Sequence, residues 1–307
     1  MNEGTREPGH FDLKENRNRT GNRILLSSQS FSSESSEREH QFKHLFSQEV
    51  PSEKRLILVV GGYPPIKPHT LEPVCRELAQ ASGERVALVA TATEKPSLIQ
   101  EAQEVLASLK QKEIAEVILV GHSRGARIIQ ELALLIEDNK EEINIRGLVL
   151  TNPAGIFKQG LLNLVRSGKS EERLRAERMA LLHEDHPFRE MEKQDVLDVA
   201  EGNELRKQLR GKLNLLRAIR EGWQIGRVNP RAQKLQVPTF IVAGNEDALF
   251  PKERIEEGVK ENASRPKVIT AKKEGSHSWI LFHRPKRFAA AALIMVERYW
   301  RNPRQPS

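Results

Sequence analysis

The chain has 307 residues, 38% hydrophobic and 30% charged, with a net charge of +7. That length suits one sizeable core with an inserted or appended element. No run of about 18 apolar residues occurs, so neither a spanning helix nor stable membrane insertion is expected. A single cysteine, Cys75, excludes a disulfide framework within the chain. With no apolar segment following the N-terminal charges, a reducing, cytoplasmic location is expected. The basic excess reads as a solvated surface. No zinc-finger spacing, RRM-type aromatic motif or helix-turn-helix signature is present, so no nucleic-acid partner is expected.

Residues 1–47 are polar and charged, with a serine-rich run at 27–36. Such a segment cannot bury enough apolar surface to offset its ordering entropy, and it reads as a disordered tail dispensable for folding. A weak strand at Arg23–Leu26 is the one exception allowed there. From residue 54 the pattern changes. Short apolar runs appear at Arg55–Val60, Arg85–Thr91, Glu116–Val120 and Arg146–Thr151, then at Val237–Ala243 and Lys267–Ala271. Runs this short, apolar on both faces, suit strands of a parallel sheet covered by helices. Helical spacing falls between them at Leu71–Ala81, Leu98–Lys110 and Gly125–Asp138, and a last helix is predicted from about Pro285 to Trp300. This alternation predicts βαβ units and an α/β fold with a mostly parallel, doubly wound sheet.

The alternation stops between residues 156 and 234. Leucine-rich stripes there, such as Leu161-Leu162 with Leu164 and Leu213 with Leu215-Leu216, read as amphipathic helices. The predicted organisation is therefore a tail at 1–47, a core at 48–155 and 235–307, and a helical insertion at 156–234.

Gly121-His122-Ser123-Arg124-Gly125 follows a predicted strand and opens a predicted helix. A sharp strand-to-helix turn strains the serine backbone and exposes its hydroxyl, and the two glycines remove side chains that would clash across the turn. A serine needs a base to become nucleophilic. His277, in Gly275-Ser276-His277-Ser278-Trp279 between the last strand and last helix, is the best placed. His10, His40 and His44 fall in the tail, His69 precedes the first core helix, His122 packs under the turn and His283 lies a turn too far. His183 and His186 form His-Glu-Asp-His in the insertion, a spacing open to a metal site, and solvated or structural histidines are the preferred reading. No metal or cofactor is called for. The base needs a carboxylate to fix its tautomer. Asp247, in Gly244-Asn245-Glu246-Asp247 after a strand, is the choice, with Glu246 as the alternative. Oxyanion donors are expected from the Arg124 amide and from the loop Gly61-Gly62-Tyr63-Pro64-Pro65, through Tyr63 N–H or else Gly62 N–H, since proline has no N–H.

Taken together, these motifs resemble the α/β-hydrolase superfamily over roughly residues 54–300. Gly121–Gly125 resembles its nucleophile elbow, and the order Ser123, Asp247, His277 is that family's order. Gly61-Gly62-Tyr63-Pro64 resembles its oxyanion loop, although Gly61 stands where a histidine is usual. The insertion falls where that family carries a cap. The resemblance implies an acyl-enzyme on Ser123 and a small-molecule ester or thioester substrate, with an apolar acyl chain if the cap leucines roof the site. An acyltransferase, or a non-catalytic ligand-binding protein on the same fold, are the alternatives. The sequence carries no indication of oligomeric state.

Overall fold

The computed structural model describes residues 42–46, 54–62, 68–89, 97–160, 163–164, 166–167, 170, 223–232, 235–260, 267–270, 277, 281 and 284–301. The elements, in chain order, are β1 Phe42–Phe46, β2 Arg55–Val60, α1 Pro68–Ser82, β3 Arg85–Val89, α2 Leu98–Gln111 and β4 Glu116–His122. They continue with α3 Arg124–Asp138, β5 Asn144–Thr151, β6 Thr239–Ala243, α4 Lys252–Lys260, β7 Lys267–Thr270 and α5 Pro285–Arg301. The strands form one sheet in the order β1-β3-β2-β4-β5-β6-β7, parallel throughout except for β1.

The continuous apolar runs follow from burial on both faces. Successive strand residues point to opposite sides. Leu56, Leu58 and Val60 join Leu119, Leu148 and Leu150 under α2 and α3, and Ile255 of α4 belongs to the same layer. The alternate residues Ile57, Val59, Ile118, Val120 and Val149 pack with α1 and α5 on the other side. The chain passes from β2 to β3 by way of α1, then crosses back over β2 to β4 by way of α2. Reversing direction while keeping right-handed crossovers requires the two helices to lie on opposite faces. The reversal opens a crevice beyond the C-terminal ends of β2 and β4, the place where open α/β sheets bind ligands.

The expected tail at 1–47 needs correction, because its last residues supply β1, antiparallel to β3. The register jumps between Phe42↔Val89 and His44↔Leu88. This bulge breaks the two-residue alternation by which an edge strand is read in sequence. Arg23–Leu26 lies outside the described residues. The helix α4 was also not anticipated. It has nine residues, with only Ile255 and Gly258 buried, too few to mark a stripe.

The two ends of the insertion meet. Gln159 N–H donates to the Gly226 carbonyl at 2.7 Å and Asn229 N–H to the Gly155 carbonyl at 3.0 Å. The Asn229 side chain donates to Glu131 at 3.0 Å, and Glu131 pairs with Arg127 at 2.8 Å. Burial lowers the pKa of Arg127, opposed by Glu131. Leu164 and Ile225 rest against the α2–α3 layer. Residues 171–222, with His183 and His186, lie outside the described residues. No described helix is long and apolar enough to cross a membrane.

Removing residues 1–40 is expected to leave thermal stability unchanged, whereas removing 1–47 deletes β1 and bares the β3 edge. Differential scanning calorimetry should show Tm falling by about 5 °C or more for the second truncation only.

Candidate active site

The strand β4 ends at His122 and α3 begins at Arg124, so one residue turns the chain. Ser123 has φ 54° and ψ −119°. An L-residue held there costs on the order of 1–3 kcal/mol and persists only where its surroundings enforce it. They do so through the end of β5. Ser123 N–H donates to the Thr151 carbonyl at 3.0 Å, and the Ser123 carbonyl accepts from Ala126 N–H at 3.1 Å and Ala154 N–H at 3.2 Å. His122 Nδ1 lies 3.2 Å from the same Thr151 carbonyl, so this histidine packs beneath the turn.

The flanking glycines meet steric demands. A Cβ on Gly121 would sit 2.7 Å from Ala126 Cα, and one on Gly125 would sit 2.3 Å from the carbonyl oxygens of Val60 and Gly61. The start of α3 therefore packs onto the end of β2. This contact also brings Gly62 to the serine, since a Cβ on Gly62 would lie 3.0 Å from Ser123 Cβ. Tyr63 lies outside the described residues.

Asp247 and His277 come together, with Asp247 Oδ2 2.8 Å from His277 Nδ1. Both are buried, whereas Glu246 is exposed on the turn, which leaves Asp247 as the histidine's partner. The second oxygen, Oδ1, accepts from the N–H groups of Leu249 at 2.8 Å and Phe250 at 2.9 Å. Each oxygen thus has its own task, and the carboxylate plane is fixed. The His277 ring also packs against His122 and Phe250, with centroids at 4.7 and 5.4 Å. Phe157, at the start of the insertion, meets Phe250 edge-on at 6.2 Å.

Two contributors were not read from the sequence. The Arg124 side chain forms a fork with Glu101 of α2. Nη1 lies 2.9 Å from Oε2 and Nη2 pairs with Oε1, and both residues are 2% exposed. Glu101 sits in the first turn of α2, behind the Ser97 cap, where a helix dipole favours an anion. Nothing in its helical pattern separates it from a surface glutamate. Asn152 follows β5 with φ 44°. Its side chain joins the Gly244 amide to the His277 carbonyl. Thr151-Asn152-Pro153 carries an ordinary turn signal and no more.

A family model described as serine aminopeptidase, S33, matches residues 88–282. No curated protein matches the chain. Solved structures with the same fold include a membrane phospholipase A described as a bacterial virulence factor. It is 16% identical with TM-score 0.58, covering 82% of this chain and 81% of its own. An esterase from Exiguobacterium antarcticum is 16% identical with TM-score 0.56, covering 83% and 96%. The 2-hydroxy-6-oxo-6-phenylhexa-2,4-dienoate hydrolase from Rhodococcus sp. strain RHA1 is 14% identical with TM-score 0.56, covering 80% and 91%.

Removing one partner of a buried fork strands the other charge, at about 3–5 kcal/mol. Urea unfolding of Glu101→Leu should show a loss of that size, and the double variant Glu101→Leu/Arg124→Met should recover at least half of it. Gly125→Ala should lose stability by several-fold more than an exposed Gly→Ala change, because backbone carbonyls occupy the space its methyl needs.

Proposed function

Because the chain belongs to the serine aminopeptidase S33 family of α/β-hydrolases, we propose that it cleaves a carboxylic ester or thioester through an acyl-enzyme on Ser123. The observation that carries this reading is the 2.8 Å contact between Asp247 Oδ2 and His277 Nδ1, which directs the remaining ring nitrogen, Nε2, to act as base. His277 takes the proton from Ser123 Oγ as it attacks the acyl carbon. The imidazolium, stabilised by Asp247, then returns the proton to the leaving alkoxide or thiolate. Water, deprotonated by His277, releases the acid.

The tetrahedral oxyanion is received by the Arg124 amide at the start of α3 and by an amide of the loop after β2, Tyr63 or the neighbouring Gly62. A helix N-terminus favours negative charge at that point. Of the carboxylates joined to this site, Glu101 is held by Arg124 and Asp247 by His277. Neither of these two described carboxylates is left to receive the α-ammonium of a peptide. Residues 156–234 form a helical cap over the crevice in this reading, and its leucines favour an apolar acyl chain. Cys75 is no rival nucleophile, because it is fully buried and that burial drives its thiol pKa upward.

A fluorophosphonate probe should label the protein at Ser123 and fail on Ser123→Ala. With p-nitrophenyl esters, His277→Ala and Asp247→Asn should each lower kcat by about a thousandfold or more. Labelling that survives Ser123→Ala would sink the assignment.

A further inference from the structure

Thr151 ends β5, and the next residue, Asn152, lies fully buried in a left-handed backbone conformation. Its N–H extends the sheet by donating to the Val242 carbonyl at 2.9 Å. Its side chain faces two loops that reach it from far along the chain. Oδ1 accepts from Gly244 N–H at 2.6 Å, on the loop that leads to Asp247. Nδ2 donates to the backbone carbonyl of His277 itself.

We propose that Asn152 is a positioning residue that holds the acid loop and the base loop in register, so that Asp247 and His277 meet. The proposal rests on the hydrolase reading for its effect on turnover, but not for its geometry. Two separate requirements select the residue type. The positive φ disfavours every side chain except glycine, asparagine and aspartate. The bridge needs one donor and one acceptor on the same short fork, which aspartate, ionised, does not offer. The Asp247–His277 contact spans two loops with no covalent link between them for 30 residues. A shift of either loop by about 1 Å would remove the contact, and misplacement of that size costs about a hundredfold in rate.

Asn152→Gly keeps the backbone comfortable and removes both side-chain bonds. Asn152→Asp keeps the shape and the Gly244 acceptor but removes the donor to His277. Two readouts are taken on the full chain. One is the downfield proton resonance of a histidine ring N–H bonded to a carboxylate, assigned to His277 by its loss in His277→Gln. The other is the rate of fluorophosphonate labelling and of p-nitrophenyl ester turnover. Both variants are expected to shift or lose the resonance. Labelling and kcat should fall about tenfold or more while KM stays within about twofold. A resonance unchanged in both folded variants, with labelling within twofold of the parent, overturns the proposal. So does loss of the fold in both variants, which would make Asn152 a general structural residue. If the parent resonance depends on Asn152 but Ser123 is never labelled, the positioning role stands and the hydrolase reading fails.

Discussion

Ser123 sits at φ 54° and ψ −119°, and the rest of the site is arranged around the need to keep it there. A one-residue turn between a buried strand and a buried helix permits no slack. It forces the start of α3 against the ends of β4 and β2, so closely that neither Gly121 nor Gly125 tolerates a Cβ. The same closeness sets the loop after β2 beside the serine. Strain at one residue and proximity of a second loop are thus one constraint. The sheet order supplies the remainder, because the reversal of chain direction between β2 and β4 places both strand ends at the mouth of a single crevice.

The segment Thr151–Ala154 is what resists the strain. It receives the Ser123 amide on the Thr151 carbonyl and gives the Ala154 amide to the Ser123 carbonyl. The Ala154 carbonyl is itself bound by Gln130 of α3 at 3.2 Å. One residue of this segment, Asn152, faces the loops of Asp247 and His277. The end of β5 therefore touches the turn of Ser123 and the loops of Asp247 and His277. A buried polar network of this kind is rigid only if it is complete, since each unsatisfied member carries its full desolvation penalty.

What could be read in advance followed the strength of the local signal. Strands β2 to β6 announce themselves because burial on both faces demands short apolar runs, as in Arg55–Val60 and Thr239–Ala243. Ser123, Asp247 and His277 were picked out because their chemistry and their places after strands are both visible in sequence, and the structure joins the last two directly. β1 was lost to its bulge. Glu101 and Asn152 were lost for a different reason. Their roles come from partners 23 and 125 residues away. A charged residue on a helix, or an asparagine before a proline, has the same local pattern whether or not such a partner exists.

The Arg124–Glu101 fork bears on what the crevice recognises. A guanidinium beside Ser123, on a chain with net charge +7, suggests at first an attraction for anions. Yet a cation at the first position of α3 opposes that helix's dipole. Bound by a carboxylate in a buried pair, its charge is largely cancelled at short range. The positive potential left at the turn is that of the α3 backbone amides. Those amides are local and directional, and they favour negative charge seated at the helix N-terminus over charge carried elsewhere on a ligand.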